Sequence, residues 1–127
     1  MQTYLPAVIA LLAPYVNSYR RYVSDFAAPI NLEWGCDNRT TGLRVPISGP
    51  DARRIENRLA GMDCNPYRAF AVSLACGYLG LKDAKPPRPE CKGDAYMSAD
   101  ELPIIGVLEN PSFDVLTSLR GTIQIRL

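Results

Sequence analysis

Seven arginines crowd residues 15–58, at Arg20, Arg21, Arg39, Arg44, Arg53, Arg54 and Arg58. They restrict how this stretch can fold, because guanidiniums on neighbouring short strands repel one another unless anions lie between them. One carboxylate, Glu56, falls inside the run Arg53-Arg54-Ile55-Glu56-Asn57-Arg58. If 54–59 is a strand, alternation puts Arg54, Glu56 and Arg58 on one face and Ile55, Asn57 and Leu59 on the other. Two readings of that face stand. It is a solvated strand face with an ion pair, or it is a site where a carboxylate holds a cation and its arginines hold anionic oxygens, as metal-phosphate chemistry requires. Arg39 and Arg44, each flanked by turn formers or proline, favour the second.

Arginine outnumbers lysine 11 to 3, and arginine is the side chain that grips phosphate and carboxylate bidentately. The net charge is only +1, which gives no bulk electrostatic reason to expect nucleic acid as a partner. The 127 residues suffice for one domain with a core, and 47% hydrophobic content argues against disorder. There is no histidine, and Cys36, Cys64, Cys76 and Cys91 show no CxxC spacing. That excludes a histidine base within the chain and disfavours structural zinc. Nothing suggests a disulfide framework, so the cytoplasm is the expected compartment. The cysteines read as buried small hydrophobes. The apolar run 4–16 is shorter than the ~20 residues a membrane span needs. It lacks a basic flank and reads as a buried helix, with no membrane partner expected.

Pro6 can open that helix, with apolar residues at 5, 8, 9, 11 and 12, and Pro14 interrupts it. A helical turn or two carries Tyr15 to Tyr22. Residues 29–34 alternate apolar and polar and read as a strand, as do 42–46 and 54–59, with a turn at 48–51. Asn65 and Pro66 form a strong helix start. The helix over 66–81 carries Phe70, Leu74, Tyr78 and Leu81 on one stripe, and its small residues suggest close packing on another element. Residues 82–94 are polar and proline-rich, hence a surface loop. Short strands are expected within 107–115 and 122–127. The fold class is α+β: short antiparallel strands packed by helices. Trp34 and Tyr67 are either core aromatics or stacking platforms for a base or amine. Asp37 reads as a cap for the turn at Asn38. Arg20 and Arg21 complement a helix C-terminus, which leaves the polar Asn17-Ser18-Tyr19 before them unexplained.

Four motifs in order, APYVNSYRR, W-G-x-DNRT-x-x-LRVP, ARRIENR and NPY, make residues 10–95 resemble the C-terminal catalytic part of the glutamine synthetase family. The resemblance implies an ATP-dependent ligase that joins the γ-carboxylate of glutamate to an amine through γ-glutamyl phosphate. It implies ATP and Mg2+ (or Mn2+) as cofactors, glutamate and an amine as substrates, and a homo-oligomer. By motif position, Glu56 is a metal ligand, Arg21 and Arg58 bind glutamate, Arg44 and Arg54 surround the ATP phosphates, and Arg39 lies between glutamate and the transferring phosphoryl group. Ala27 stands where ammonia-using members carry a glutamate, which favours the branch that γ-glutamylates polyamines and other organic amines. Asp51-Ala52 replaces a frequent lysine. The family's other metal-binding residues lie upstream of the matching part, so residues 1–100 are expected to form a partial catalytic domain, inactive alone, with a divergent tail at 101–127. The alternatives are a non-catalytic remnant that binds nucleotide or assembles with a full-length relative, and an ammonia-using glutamine synthetase.

Overall fold

The computed structural model describes residues 1–22 and 28–98. Helix α1 spans Leu5–Leu12, with proline in its first turn and Leu5, Ile9 and Leu12 buried along one face. It stops at Ala13, the residue before Pro14, as proline sterics dictate. A 3-10 turn follows over Val16–Arg21. Here Ser18 explains the polar motif: its hydroxyl accepts from the Tyr15 N–H at 3.0 Å and donates to the Asp63 carboxylate.

Strands β1 (Trp34–Cys36), β2 (Leu43–Val45) and β3 (Glu56–Asn57) form one sheet in the order β1-β2-β3. The sheet is mixed, not wholly antiparallel: β1 and β2 run parallel, with Gly35 opposite Arg44, and β2 and β3 antiparallel, with Arg44 opposite Glu56. A parallel neighbour requires the chain to double back, and residues 37–42 do this within six residues. Asp37 takes a left-handed φ of 50°. Asn38 Oδ1 then accepts from the Thr40 N–H at 3.0 Å and its hydroxyl at 2.7 Å. The Asp-Asn-Arg-Thr wording is therefore a folded reversal, an Asx turn entered through a strained residue.

Two expected strands are shorter than the pattern suggests. Residues 29–33 are not strand, because Asn31 turns inward. Its side chain is buried, and it accepts from the Glu33 and Gly42 N–H groups at 3.1 and 3.2 Å and donates to the Thr40 carbonyl at 2.9 Å. In 54–59 only Glu56 and Asn57 pair, since the Leu59 N–H turns to the Asn57 side chain at 3.2 Å.

Helix α2 spans Pro66–Lys82, and Asn65 caps it by accepting from the N–H groups of Tyr67 (3.0 Å) and Arg68 (3.3 Å). It packs against α1. Its inward face is not the expected large apolar stripe. Ala69, Cys76 and Gly80 are buried, while Phe70, Leu74, Tyr78 and Leu81 are 72%, 73%, 65% and 83% exposed. Small side chains allow close approach: a Cβ at Gly80 would lie 3.1 Å from the Met1 nitrogen.

Residues 82–94 are tied to β1. The Cys91 N–H donates to the Trp34 carbonyl at 2.9 Å, and the Trp34 indole donates to the Arg88 carbonyl at 2.6 Å. The backbones come so close that a Cβ at Gly35 would lie 2.6 Å from the Cys91 oxygen. Trp34 packs against the core, whereas Tyr67 is exposed. Helix α3 covers Ala95–Ser98. Of the cysteines only Cys76 is buried; Cys36 is exposed and Cys64 and Cys91 are half-buried, all as free thiols. No helix among the described residues is long and apolar enough to cross a membrane. Ala27 and the strands expected within 107–127 lie outside the described residues.

Candidate functional site

The β2–β3 pairing assembles the charged cluster. Cross-strand register sets Arg44 against Glu56, and Arg44 Nη1 donates to Glu56 Oε2 at 2.8 Å. Arg54 Nη2 approaches the other carboxylate oxygen at 3.5 Å. Glu56 is thus held between two guanidiniums, but its partners are Arg44 and Arg54 rather than Arg54 and Arg58. Arg44 also pairs with the Asp37 carboxylate. The hydrogen bonds that Arg44 donates to Asp37 and then to Glu56 push its pKa above the ordinary value. The role of Asp37 as an ion-pair partner is one that sequence reading missed, because the contact depends on the reversal at 37–42. The Arg44 Nε is a buried donor left without a partner among the described residues.

Arg58 sits beside this cluster. Its guanidinium donates to the Arg39 carbonyl and to the Thr41 carbonyl at 3.3 Å, stitching the reversal to β3. Burial lowers its pKa, with Arg44 and Arg39 lowering it further and Glu56 opposing them. The Arg39 side chain is exposed on the reversal. Arg21 lies behind, donating to the Leu59 carbonyl at 3.0 Å and the Arg58 carbonyl at 3.3 Å, with its guanidinium 5.2 Å from the Tyr22 ring centre. The structure therefore brings Arg44, Arg54, Arg58, Arg39 and Glu56 into one neighbourhood, and places Arg21 against the backbone that carries Arg58.

The donor set fits phosphate oxygens better than a metal. Among the described residues no three His, Cys, Asp or Glu side chains group to hold an ion. Both Glu56 oxygens already face guanidiniums. One such carboxylate does not make the octahedral oxygen site that magnesium demands. What the cluster can do unaided is hold and orient anions bidentately.

Comparison with known proteins agrees with this chemistry. The sequence model described as "Glutamine synthetase, catalytic domain" matches residues 1–118. The glutamine synthetase of Frankia alni is 37% identical over 119 residues, covering 91% of this chain and 25% of that protein. The gamma-glutamylputrescine synthetase of Escherichia coli is 41% identical over 90 residues, 71% of this chain and 19% of that protein. A glutamate–isopropylamine ligase of Pseudomonas is 39% identical over 102 residues, 79% of this chain and 22% of that protein. The chain spans about a quarter or less of the length of these relatives. With a catalytic-domain model matched over most of its length and relatives 37–41% identical over 71–91% of the chain, the chain belongs to the glutamine synthetase family.

Proposed function

We propose that the chain is the arginine-bearing part of an ATP-dependent ligase that joins the γ-carboxylate of glutamate to an organic amine. The observation that carries this is Glu56 held between Arg44 and Arg54 on paired strands, beside the reversal that presents Arg39. Arg44 and Arg54 bind the ATP phosphates. Arg21 and Arg58 hold glutamate. Arg39 spans glutamate and the phosphoryl group as the γ-carboxylate becomes γ-glutamyl phosphate. Guanidiniums aimed at oxygens that gain charge in that transition state stabilise it more than the ground state. Glu56 would give magnesium one oxygen, Oε1, only by exchanging its long 3.5 Å contact with Arg54, and the other ligands would come from the rest of the ligase fold. The whole enzyme is a cytoplasmic homo-oligomer, and this chain alone is inactive.

An organic amine is favoured over ammonium for a chemical reason. Ammonium must be held as a cation and must lose a proton before it attacks, and Ala27 offers neither a counter-charge nor a base. The names of two relatives, for putrescine and for isopropylamine, support the reading, although glutamine synthetases match equally well. The test is magnesium-dependent ATP turnover with glutamate and ammonium, putrescine, ethanolamine or an alkylamine. It is run on the 127-residue chain and on a fusion to the upstream part of the E. coli gamma-glutamylputrescine synthetase. The expected result is no turnover by the chain alone and preference for an organic amine in the fusion. A tenfold advantage for ammonium would replace this reading with glutamine synthesis.

A further inference from the structure

We propose that Asp37 is a positioning residue for nucleotide: its carboxylate fixes the Arg44 guanidinium in the orientation from which it takes the ATP phosphates. The inference rests on the proposed ligase reading, which puts Arg44 at those phosphates and gives Asp37 no role. Arg44 is held at both terminal nitrogens. Nη1 donates to Glu56 Oε2 at 2.8 Å, and Nη2 donates to Asp37 Oδ1. A single bond of this kind leaves the planar guanidinium free to turn about the contact, and a second, at the other nitrogen, fixes its plane. Glu56 lies on β3 and Asp37 on the reversal after β1, so the two holds come from different elements.

The contact differs from an ordinary surface ion pair. Asp37 takes a left-handed φ of 50°, and only Ala84 shares a positive φ among the described non-glycine residues. Aspartate tolerates that conformation at some cost. It turns the chain just after the Asp37 N–H has bonded the Val45 carbonyl at 2.8 Å, and the carboxylate then meets Arg44. The reversal itself does not depend on that carboxylate. Asn38 bonds Thr40 within it and reaches the Cys91 and Gly93 carbonyls, while Asn31 holds the Thr40 carbonyl. The ion pair also adds little stability, because the Asp37 side chain is 49% exposed against 16% for Arg44. By charge alone, a carboxylate this close to Arg44 would repel phosphate. What it offers a phosphate site is orientation, and the two effects have opposite signs.

The test uses the fusion to the upstream part of the E. coli gamma-glutamylputrescine synthetase. Asp37→Asn and Asp37→Gly both suit a left-handed φ; the first keeps a neutral oxygen for Arg44 and the second keeps none. The probe is β,γ-imido-ATP with magnesium, its dissociation constant measured by titration calorimetry. KM for ATP and for glutamate, kcat and the melting temperature are measured alongside. Asp37→Gly should weaken the analogue and raise KM for ATP about tenfold or more, the loss typical when the partner that orients a ligand-holding side chain is removed. Asp37→Asn should fall between it and the parent. KM for glutamate should not change, and the melting temperature of Asp37→Asn should stay within about 5 °C of the parent. In an Arg44→Gln background Asp37→Gly should have no further effect, since Asp37 acts through Arg44. Analogue binding that Asp37→Gly weakens in this way, in a parent with no ligase turnover, supports the positioning role and overturns the ligase reading. Analogue affinity in Asp37→Gly equal to the parent's or tighter would overturn the positioning role and leave the ligase reading standing. So would KM for ATP and for glutamate rising together with a large fall in melting temperature. A parent that binds no analogue would overturn both.

Discussion

Removing the Asn31 side chain should unfold the reversal that presents Arg39. Asn31 is fully buried and makes three hydrogen bonds, accepting from the Glu33 and Gly42 N–H groups and donating to the Thr40 carbonyl. Asn31→Ala leaves two donors and one acceptor without that partner. Each buried group left unsatisfied costs ~1–3 kcal/mol. Glu33 is half-buried and can recover a bond to water, whereas Gly42 is buried and cannot do so as easily. The total is therefore ~3–5 kcal/mol, against a native stability of roughly 5–15 kcal/mol for a small domain. Urea unfolding followed by Trp34 fluorescence reads the loss directly, since the single tryptophan lies on β1 next to the affected reversal. The melting temperature should fall by roughly 15–30 °C, at several degrees per kcal/mol for a domain of this size. Asn31→Asp adds a discriminating case. It keeps the acceptor but loses the donor and places a charge in a buried site, so it should be at least as damaging at neutral pH. A loss below about 1 kcal/mol for Asn31→Ala, within the net worth of one hydrogen bond, would show that the buried amide does not hold the reversal.

Other outcomes follow from the same contacts. Gly42→Ala puts a Cβ 2.2 Å from the Asn31 carbonyl oxygen; it should cost at least the ~1–3 kcal/mol of core overpacking, while Gly49→Ala, with open space around it, should leave the melting temperature unchanged. Burial is the main cause that pushes the Tyr22 pKa up to about 12 from 10.0, and its hydroxyl donates to the Leu59 carbonyl at 2.5 Å. The unfolded chain releases this proton near pH 10 and the folded chain holds it to about 12, so stability should be unaffected below pH 10 and fall by ~2 kcal/mol across that window. Alkaline urea titrations should show a shallower fall for Tyr22→Phe; an unchanged slope would contradict the assignment. In the fusion that restores the rest of the fold, Arg39→Lys should lower turnover roughly 10²–10³-fold, the loss typical of one transition-state contact, and Glu56→Gln should nearly abolish it. A change under tenfold for Arg39→Lys would remove Arg39 from the reacting site.

Local chemistry was readable from the residues, and long-range pairing was not. The Asn65-Pro66 helix start depends on groups two or three residues apart, so its cap is present as read. The residues near 31 misled for the opposite reason. In PINLEW the polar positions alternate with apolar ones, which puts Asn31 on a solvent face by pattern alone. Its partners Thr40 and Gly42 are nine and eleven residues away, and no local periodicity reveals them. Glu56 falls between two of these cases. Its spacing from Arg54 is local and survives. Its stronger partner, Arg44, arrives through strand register, and Arg58 turns to the carbonyls of Arg39 and Thr41 instead.

The α2 stripe shows how far periodicity can go. A row of large apolar residues at helical spacing demands cover of some kind, because leaving a Leu or Phe side chain in water forgoes ~1.5–3 kcal/mol. The spacing does not say which surface provides that cover. Here the small residues Ala69, Cys76 and Gly80 are buried, and the large ones are exposed. A helix buried on one side only would be expected to reverse that choice. A helix destined to lie between two layers needs both faces apolar, thin where its own chain must come close and bulky where a second layer will fill the gap. The same logic applies at the charged cluster, where arginines outnumber the carboxylates that neutralise them. Packing and charge therefore ask for the same addition: a further layer that is apolar along α2 and acidic near Glu56. In the fusion that restores that layer, Leu74→Glu and Glu56→Gln should separate its two contributions, the first lowering the melting temperature and the second sparing it while stopping turnover.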